Sequence, residues 1–222
     1  MKAGSWTFTA QDLRVWVRCD QGARRRIEDA WVADTQGLRG PRKLAVFAVF
    51  DGLGGEPKGD VAARTASTEL PAVIQRSSSI HEILPRLNDA VLTSGGYTTA
   101  VVATLDAAGH VEIAHVGDSG AFGLVKGGVR LLTERDAAPS GSITDFLGNP
   151  RLRGHVARTS LSRGSSLLLC TDGVDGIVGV DPLAELLRSS HDEVPAAIDS
   201  LYKEIHSLGA PDNATIVLVR RD

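Results

Sequence analysis

The longest uninterrupted run of apolar residues in the sequence, residues 44–50, stops abruptly at Asp51-Gly52. This run is far shorter than the roughly 20 residues that a membrane-spanning helix requires. A short apolar stretch that ends at a turn signal is typical of a strand whose two faces are both buried. The sequence therefore predicts an interior strand with an aspartate directly after it.

The pattern on either side of this run predicts more strands. Periodicity and turn residues place them at residues 14–18, 30–33, 97–105, 111–116, 121–125, 129–132, 156–159, 166–171 and 214–219, with Gly127 in one of the intervening turns. Because most of them follow one another through short turns, they are expected to pair as antiparallel neighbours.

Four helices are predicted around these strands. Val61, Ala62, Thr65 and Ala66 share one face of a helix that Pro71 ends or bends, and residues 80–92 have helical spacing before Gly95. Two later helices are predicted to be capped by Asp181 and Asp192. Blocks of strands and helices, rather than strict alternation, favour an α+β fold in which two antiparallel sheets pack together between layers of helices.

Length and composition restrict the kind of protein that this chain can be. With 222 residues, 42% of them hydrophobic, residues 1–222 can form one domain with a large core. A net charge of −3 and a single short arginine cluster offer no basic face for a nucleic acid. Cys19 and Cys170 are expected to be free thiols, and the first residues lack the apolar core of a signal peptide. We therefore expect a cytoplasmic protein that binds neither nucleic acid nor membrane.

Acidic residues recur where strands begin or end. Asp51, Asp118 and Asp172 each follow an apolar strand, Asp212 precedes the last strand, and Glu28-Asp29 precede the strand at residue 30. A single Asp-Gly pair is typical of an ordinary turn. Several carboxylates that meet at one end of a pair of sheets would repel one another without a cation, and Mg²⁺ and Mn²⁺ prefer oxygen ligands. The recurrence therefore indicates a metal site.

Six short motifs follow one another along almost the whole chain. They lie at residues 22–30, 49–55, 98–100, 116–119, 169–174 and 211–215. Each motif is weak alone, but the ordered set resembles the type-2C metal-dependent protein serine/threonine phosphatases, the PPM family. The resemblance implies a four-layer α-β-β-α sandwich with two divalent cations, Mn²⁺ or Mg²⁺, bound between its two central antiparallel sheets.

The resemblance also implies a role for individual residues. Asp51 would bridge both cations, and Arg24 would bind the phosphate of the substrate, so these two are the predicted catalytic residues. The other predicted metal ligands are Asp29, directly or through a water, the carbonyl of Gly52, Asp172 and Asp212, with Asp118 sharing a third, weaker cation with Asp172. Glu28 and Asn213 would orient ligands or waters.

The predicted chemistry is hydrolysis of phosphoserine and phosphothreonine on proteins. Two cations about 3.5–4 Å apart can lower the pKa of a water between them and stabilise charge on the phosphoryl oxygens, so that the resulting hydroxide attacks phosphorus. An arginine can bind two phosphate oxygens at once, and only the motif favours Arg24 over Arg25 and Arg26. The expected partners are phosphorylated proteins, together with a serine/threonine kinase and its targets, and the expected state is a monomer.

Two features depart from the family pattern. Leu53 stands where many members have a histidine, and leucine cannot donate a proton. The flap segment, residues 133–148, is shorter than usual, so we expect an open cleft in which the flap selects substrates weakly. Among the histidines, His115 is more typical of a structural residue than of a catalytic one.

The sequence also offers three alternative interpretations, of which the last, a nucleotide loop, is discounted. Cys19 and Arg25 have the spacing of a cysteine-dependent phosphatase loop, although Glu28 and Asp29 follow closely and would repel a phosphate. A catalytically weak or inactive phosphatase fold could instead serve as a binding or regulatory module. The glycines between residues 52 and 59 could suggest a nucleotide loop, but the Gly-Lys-Ser/Thr ending is missing.

Overall fold

Two antiparallel sheets form the centre of the structure. The computed structural model describes residues 2–10, 12–39, 44–54, 58–125 and 128–222, so Gly55 of the second motif and Gly127 of a predicted turn lie outside the described residues. The first sheet has six strands in the spatial order β1 (Gly4–Ala10), β2 (Leu13–Asp20), β11 (Ala214–Arg221), β10 (Ser166–Cys170), β7 (Gly120–Val125) and β8 (Gly128–Leu131). The second sheet has five, in the order β3 (Asp29–Asp34), β4 (Leu44–Asp51), β5 (Ala100–Asp106), β6 (His110–Val116) and β9 (His155–Ser160).

Helices cover the outer face of each sheet. The described helices are α1 (Gly59–Arg76), α2 (Ile83–Ser94), α3 (Asp172–Val178), α4 (Asp181–Arg188) and α5 (Val194–Ser207), with short 3₁₀ helices at Gln36–Arg39 and Ile80–Glu82. The first two α-helices share a buried core with the second sheet, and the other three share one with the first sheet. A third core lies between the sheets. The predicted four-layer α+β sandwich is therefore confirmed.

Strand β4 explains why its sequence is apolar without interruption. Val46, Ala48 and Phe50 point towards α1 and α2, whereas Phe47 and Val49 point into the core between the sheets. A strand buried on both faces has no position at which a polar side chain can reach water. Burial of one large apolar side chain contributes about 1.5–3 kcal/mol, so this strand is a major source of stability.

Three predictions about local structure were wrong or incomplete. Strand β1 was not predicted, and neither was the short helix α3, whose seven residues include two glycines that favour other conformations. Neither Asp181 nor Asp192 caps a helix: Asp181 is the first residue of α4, and α5 begins at Val194.

Among the described helices, none combines the length and the apolar character that crossing a membrane requires.

Helix α1 continues through Pro71 to Arg76, so of the two predicted effects of Pro71, an end or a bend, the end was wrong. A proline inside a helix costs about 3 kcal/mol because it removes one hydrogen bond and crowds the preceding turn. Leu70 and Val73 are buried on either side of Pro71. Since each contributes about 1.5–3 kcal/mol, their packing outweighs that cost.

We expect Pro71→Ala to stabilise the protein, because Pro71 is exposed and alanine would restore the missing hydrogen bond. The expected gain in the free energy of unfolding is about 1–3 kcal/mol, measured by urea denaturation. Thr68→Ala, at another exposed position of α1, is the control and should change stability by no more than about 0.5 kcal/mol. A Pro71→Ala protein no more stable than the wild type would contradict this account.

Candidate metal centre

The register of the second sheet brings two of the predicted ligands together. Asp29, at the start of β3, lies directly opposite Asp51, at the end of β4. Directly opposed residues on antiparallel strands have Cβ atoms about 4.5–5.5 Å apart. Two acids far apart in sequence thus become neighbours because the two strands pair in this register.

The backbone around Asp51 is held on several sides. Its N–H donates to Thr99 Oγ1 at 3.0 Å, and its carbonyl accepts from Thr98 Oγ1 and from the Thr99 N–H, both at 2.8 Å. Gly52 follows in a position where a Cβ would collide with the carbonyl group of Gly59. Only glycine therefore allows the start of α1 to approach the end of β4 this closely.

The first sheet contributes two more acids. Asp172 follows β10 as the first residue of α3, and Asp212 stands just before β11. The two segments meet at Gly173, where a Cβ would overlap the carbonyl oxygen of Asn213. A glycine at this position therefore lets Asp172 and Asp212 share one end of the sandwich with the acids of the second sheet.

These side chains line one cleft of about 520 Å³. Arg24, Asp51, Asp118, Asp172 and Asp212 contribute to its wall, as does Leu53. Asp29 lies behind them with only 2% of its surface exposed. The acids predicted from widely separated motifs therefore do meet in one place.

Burial and mutual repulsion disfavour the charged form of three of these acids. Burial raises the pKa of Asp29 to about 7, with a further contribution from the charges of Asp212 and Asp172. Burial also raises the pKa of Asp51 well above its usual value, and the charges of Asp29 and Asp172 add to the effect. The pKa of Asp118 rises to about 6, mainly through burial and then through the charge of Asp172. A nearby cation would remove this penalty.

The donor set fits hard divalent cations. Two buried carboxylate oxygens, Oδ1 of Asp29 and Oδ1 of Asp118, have no hydrogen-bond partner among the described residues. Unpaired buried carboxylate oxygens are costly, and they are the ligands that Mg²⁺ and Mn²⁺ prefer. Among the described residues, no three His, Cys, Asp or Glu side chains form a group arranged to hold an ion.

Arg24 differs clearly from the two arginines that follow it. Its Nη2 lies 2.5 Å from Oδ2 of Asp212, and its Nε donates to the carbonyl of Pro211 at 3.2 Å. Arg26 instead pairs with Glu28 at 2.9 Å and faces Asp60 at 3.7 Å, whereas Arg25 is exposed and holds no hydrogen bond or ion pair with another described residue. Of the three, only Arg24 lines the cleft.

Asn213 and Glu28 connect the loops beside the cleft. The Asn213 side chain accepts a hydrogen bond from the Glu28 N–H at 2.7 Å and donates to the carbonyls of Gln21 and Arg26. The carboxylate of Glu28 is held by Arg26. Because these bonds use both ends of its amide group, Asn213 fixes the loop that carries Arg24.

Threonine hydroxyls that hold the acids were overlooked as site residues. Thr171 and Thr215 both donate to Oδ2 of Asp29, at 3.0 and 2.6 Å, and thereby fix its orientation. Thr99 bonds the backbone of Asp51 and contacts Ser119 Oγ at 2.7 Å. Each lies inside or next to a motif, and hydroxyls at apolar strand ends are the signal that could have identified them.

Cys19 is a poor nucleophile in this fold. It lies on β2 with 1% of its surface exposed, and burial raises the pKa of its thiol to about 11. A thiol must ionise to attack phosphorus, so the interpretation as a cysteine-dependent phosphatase loop is not supported. His115 is also buried and stacks on His155 with ring centres 5.2 Å apart, outside the cleft lining.

Comparison with known proteins identifies the family. Residues 41–222 match the family model described as Stage II sporulation protein E (SpoIIE). The chain belongs to this family. The resemblance to type-2C phosphatases is confirmed by the relatives of the chain. The serine/threonine phosphatase Stp of Listeria monocytogenes is 27% identical in an alignment that covers 80% of this chain and 84% of Stp. The probable protein phosphatase 2C 25 of Arabidopsis thaliana is 26% identical, with coverage of 89% of this chain and 54% of that protein.

Solved structures support the fold of the SpoIIE-family domain. The serine/threonine phosphatase PstP/Ppp of Mycobacterium tuberculosis superposes with a TM-score of 0.79 at 22% identity and covers 95% of this chain and 99% of that one. The catalytic domain of PstP has also been solved in complex with two manganese ions, with a TM-score of 0.75, 22% identity and coverage of 94% and 97%. These likenesses establish a shared architecture.

We expect Asp51→Asn to raise the thermal stability of the metal-free protein. Since the pKa of Asp51 is raised in the fold, its charged form destabilises the folded state at neutral pH, and a neutral amide removes that effect. In EDTA, the unfolding temperature of the variant should be higher than that of the wild type, by about 2–4 °C for each kcal/mol gained in the free energy of unfolding. Addition of Mn²⁺ should then stabilise the variant less than the wild type.

Asp89→Asn is the matched control for this experiment, because Asp89 is an exposed acid of α2 that does not line the cleft. It should behave as the wild type both with and without Mn²⁺. A lower unfolding temperature for Asp51→Asn in EDTA would mean that the charged carboxylate of Asp51 does not destabilise the folded protein.

Proposed function

We propose that this protein hydrolyses phosphoserine and phosphothreonine on other proteins in a reaction that requires divalent cations. The observation that carries the proposal is the convergence of acids from both sheets on one cleft that also contains Arg24. Membership of the SpoIIE family and the naming of its relatives as serine/threonine phosphatases favour the same reaction.

In this proposal the acids hold the cations. Asp51, Asp29, the carbonyl of Gly52, Asp172 and Asp212 would hold two cations, with Asp51 as a ligand shared by both. Asp118 and Asp172 would hold a third. When bound, such cations lower the pKa of water and offset charge on the phosphoryl oxygens.

Other residues of the chain position the metal ligands and the substrate. Thr171 and Thr215 orient Asp29, and Asn213 fixes the loop that presents Arg24. The guanidinium of Arg24 can bind two oxygens of a phosphate once it exchanges Asp212 for the substrate. Leu53 brings no proton donor to the cleft, so the leaving serine or threonine oxygen would take its proton from a water or from another acid. The natural substrates are then proteins that a serine/threonine kinase has phosphorylated.

The first test measures hydrolysis of a phosphothreonine peptide. The wild type should release phosphate with Mn²⁺ or Mg²⁺ and lose this activity in EDTA. Asp172→Asn should lower kcat by at least about 100-fold while the protein stays folded, because a direct ligand is lost. Asp89→Asn should keep full activity.

Two other outcomes would overturn the proposal. Activity that persists in EDTA and disappears on alkylation of thiols would restore the cysteine-dependent mechanism. A folded protein that binds the phosphopeptide but releases no phosphate with either cation would favour the binding module.

The second test separates Arg24 from its neighbour. Arg24→Ala should raise KM for the phosphopeptide by about 10-fold or more, since a charge-assisted hydrogen bond contributes about 1.5–3 kcal/mol. Arg25→Ala removes the same charge from the adjacent, exposed position and should change KM by less than about twofold. Equal effects of the two substitutions would show that the loop contributes only general positive charge.

A further inference from the structure

One part of the cleft is not used in the proposed reaction. Besides the acids and Arg24, the lining contains four apolar or aromatic side chains: Leu53, Tyr97, Ile143 and Phe146. All four are half-buried, so each exposes part of its apolar surface to the cleft. We call these four residues the apolar wall.

The apolar wall is preformed. The Leu53 N–H donates to the carbonyl of Tyr97 at 3.0 Å, which joins the two residues through their backbones. The rings of Tyr97 and Phe146 meet edge to face with their centres 5.0 Å apart. Thr98, next to Tyr97, pairs with Leu147, next to Phe146. Three segments distant in sequence therefore form one continuous surface.

Ile143 reaches this surface from a tight hairpin in the flap. Ala137 and Ile143 pair as a β-bridge, the Ala138 N–H donates to the carbonyl of Ser142 at 2.9 Å, and the Thr144 N–H donates to that of Asp136 at 2.7 Å. These backbone bonds hold the flap in one conformation. A side chain at position 143 is therefore presented to the cleft by an ordered hairpin, which lowers the entropic cost of binding.

The chemistry of the cleft indicates what the apolar wall binds. Serine and threonine side chains are short, so a phosphate that reaches Arg24 brings the neighbouring residues of its chain into the same cleft. None of the four wall residues carries a charge, so a charged neighbour packed against them would lose hydration and find no partner in the wall itself. An apolar neighbour would instead bury apolar surface against them, at about 25 cal/mol for each Å².

We propose that the apolar wall is a specificity subsite that receives an apolar side chain adjacent to the phosphorylated residue, an inference that rests on the proposed function. The substrate class is then phosphoproteins whose phosphoserine or phosphothreonine is flanked by a large aliphatic or aromatic residue. This assigns the short flap a direct role in substrate selection, in contrast to the weak selection expected from its length.

The test compares phosphothreonine peptides that differ at one position. Leucine, alanine, glutamate and lysine are placed in turn on either side of the phosphothreonine, and kcat/KM is measured with Mn²⁺. On the preferred side of the phosphothreonine, kcat/KM for the leucine peptide should exceed kcat/KM for the glutamate peptide by about 10-fold or more. This is the scale on which apolar pockets discriminate between substrates. Equal rates on all peptides would overturn the subsite while leaving the proposed function intact.

Two variants assign the preference to the wall. Phe146→Ala should reduce the leucine-to-glutamate ratio of kcat/KM towards one. Ile143→Lys should invert the ratio, because a lysine at this place would pair with the glutamate of the peptide. A misfolded protein would lose activity on all peptides alike, so only a changed wall can invert the ratio.

Leu131→Ala provides the matched control, since Leu131 is a comparably exposed apolar residue on edge strand β8, away from the cleft. It should leave the ratio as in the wild type. A ratio that Ile143→Lys and Phe146→Ala leave unchanged would overturn the proposal. If no peptide is hydrolysed with Mn²⁺, the proposed function fails instead, and the subsite fails with it.

Discussion

Repulsion among buried carboxylates is the constraint on which the functional end of this molecule depends. Asp29 and Asp51 face each other across two paired strands, and Asp172 and Asp212 approach them from the other sheet. Such a group of like charges opposes folding unless cations or protons offset it. The apolar core between the two sheets opposes this repulsion, and strand β4 contributes Phe47 and Val49 to it just before Asp51.

Small groups make this arrangement possible. Threonine hydroxyls bond Asp29 from β11 and from the junction of β10 and α3 without adding charge, and Gly52 and Gly173 let backbone segments approach where a side chain would collide. Asn213 joins the loop of Arg24 to the end of the first sheet through its amide. Asp29 is therefore oriented by neutral donors, whereas Asp212 pairs with Arg24, the cationic side chain in the cleft lining.

Much of the architecture could be predicted because its signals are local. The apolar run of β4, the turns between the later strands and the helical spacing around α2 and α5 all depend on neighbours in sequence. Strand β1 was missed because its half-buried aromatic residues pack on Trp31, which lies far along the chain. Helix α1 continues through Pro71 for a related reason: burial of Leu70 and Val73, a tertiary effect, outweighs a local penalty.

For the site, the sequence by itself determined which kinds of residue are present and in what order: acids at strand ends, the glycines beside them and an arginine cluster near the first motif. Only the tertiary structure decided which of Arg24, Arg25 and Arg26 lines the cleft, and that Cys19 is too deeply buried to ionise readily. It also brought Leu53, Tyr97, Ile143 and Phe146 into one surface that no motif predicts. The physical reason is that burial, repulsion between charges and contact between apolar side chains depend on distances between segments that are far apart in sequence. Packing sets those distances.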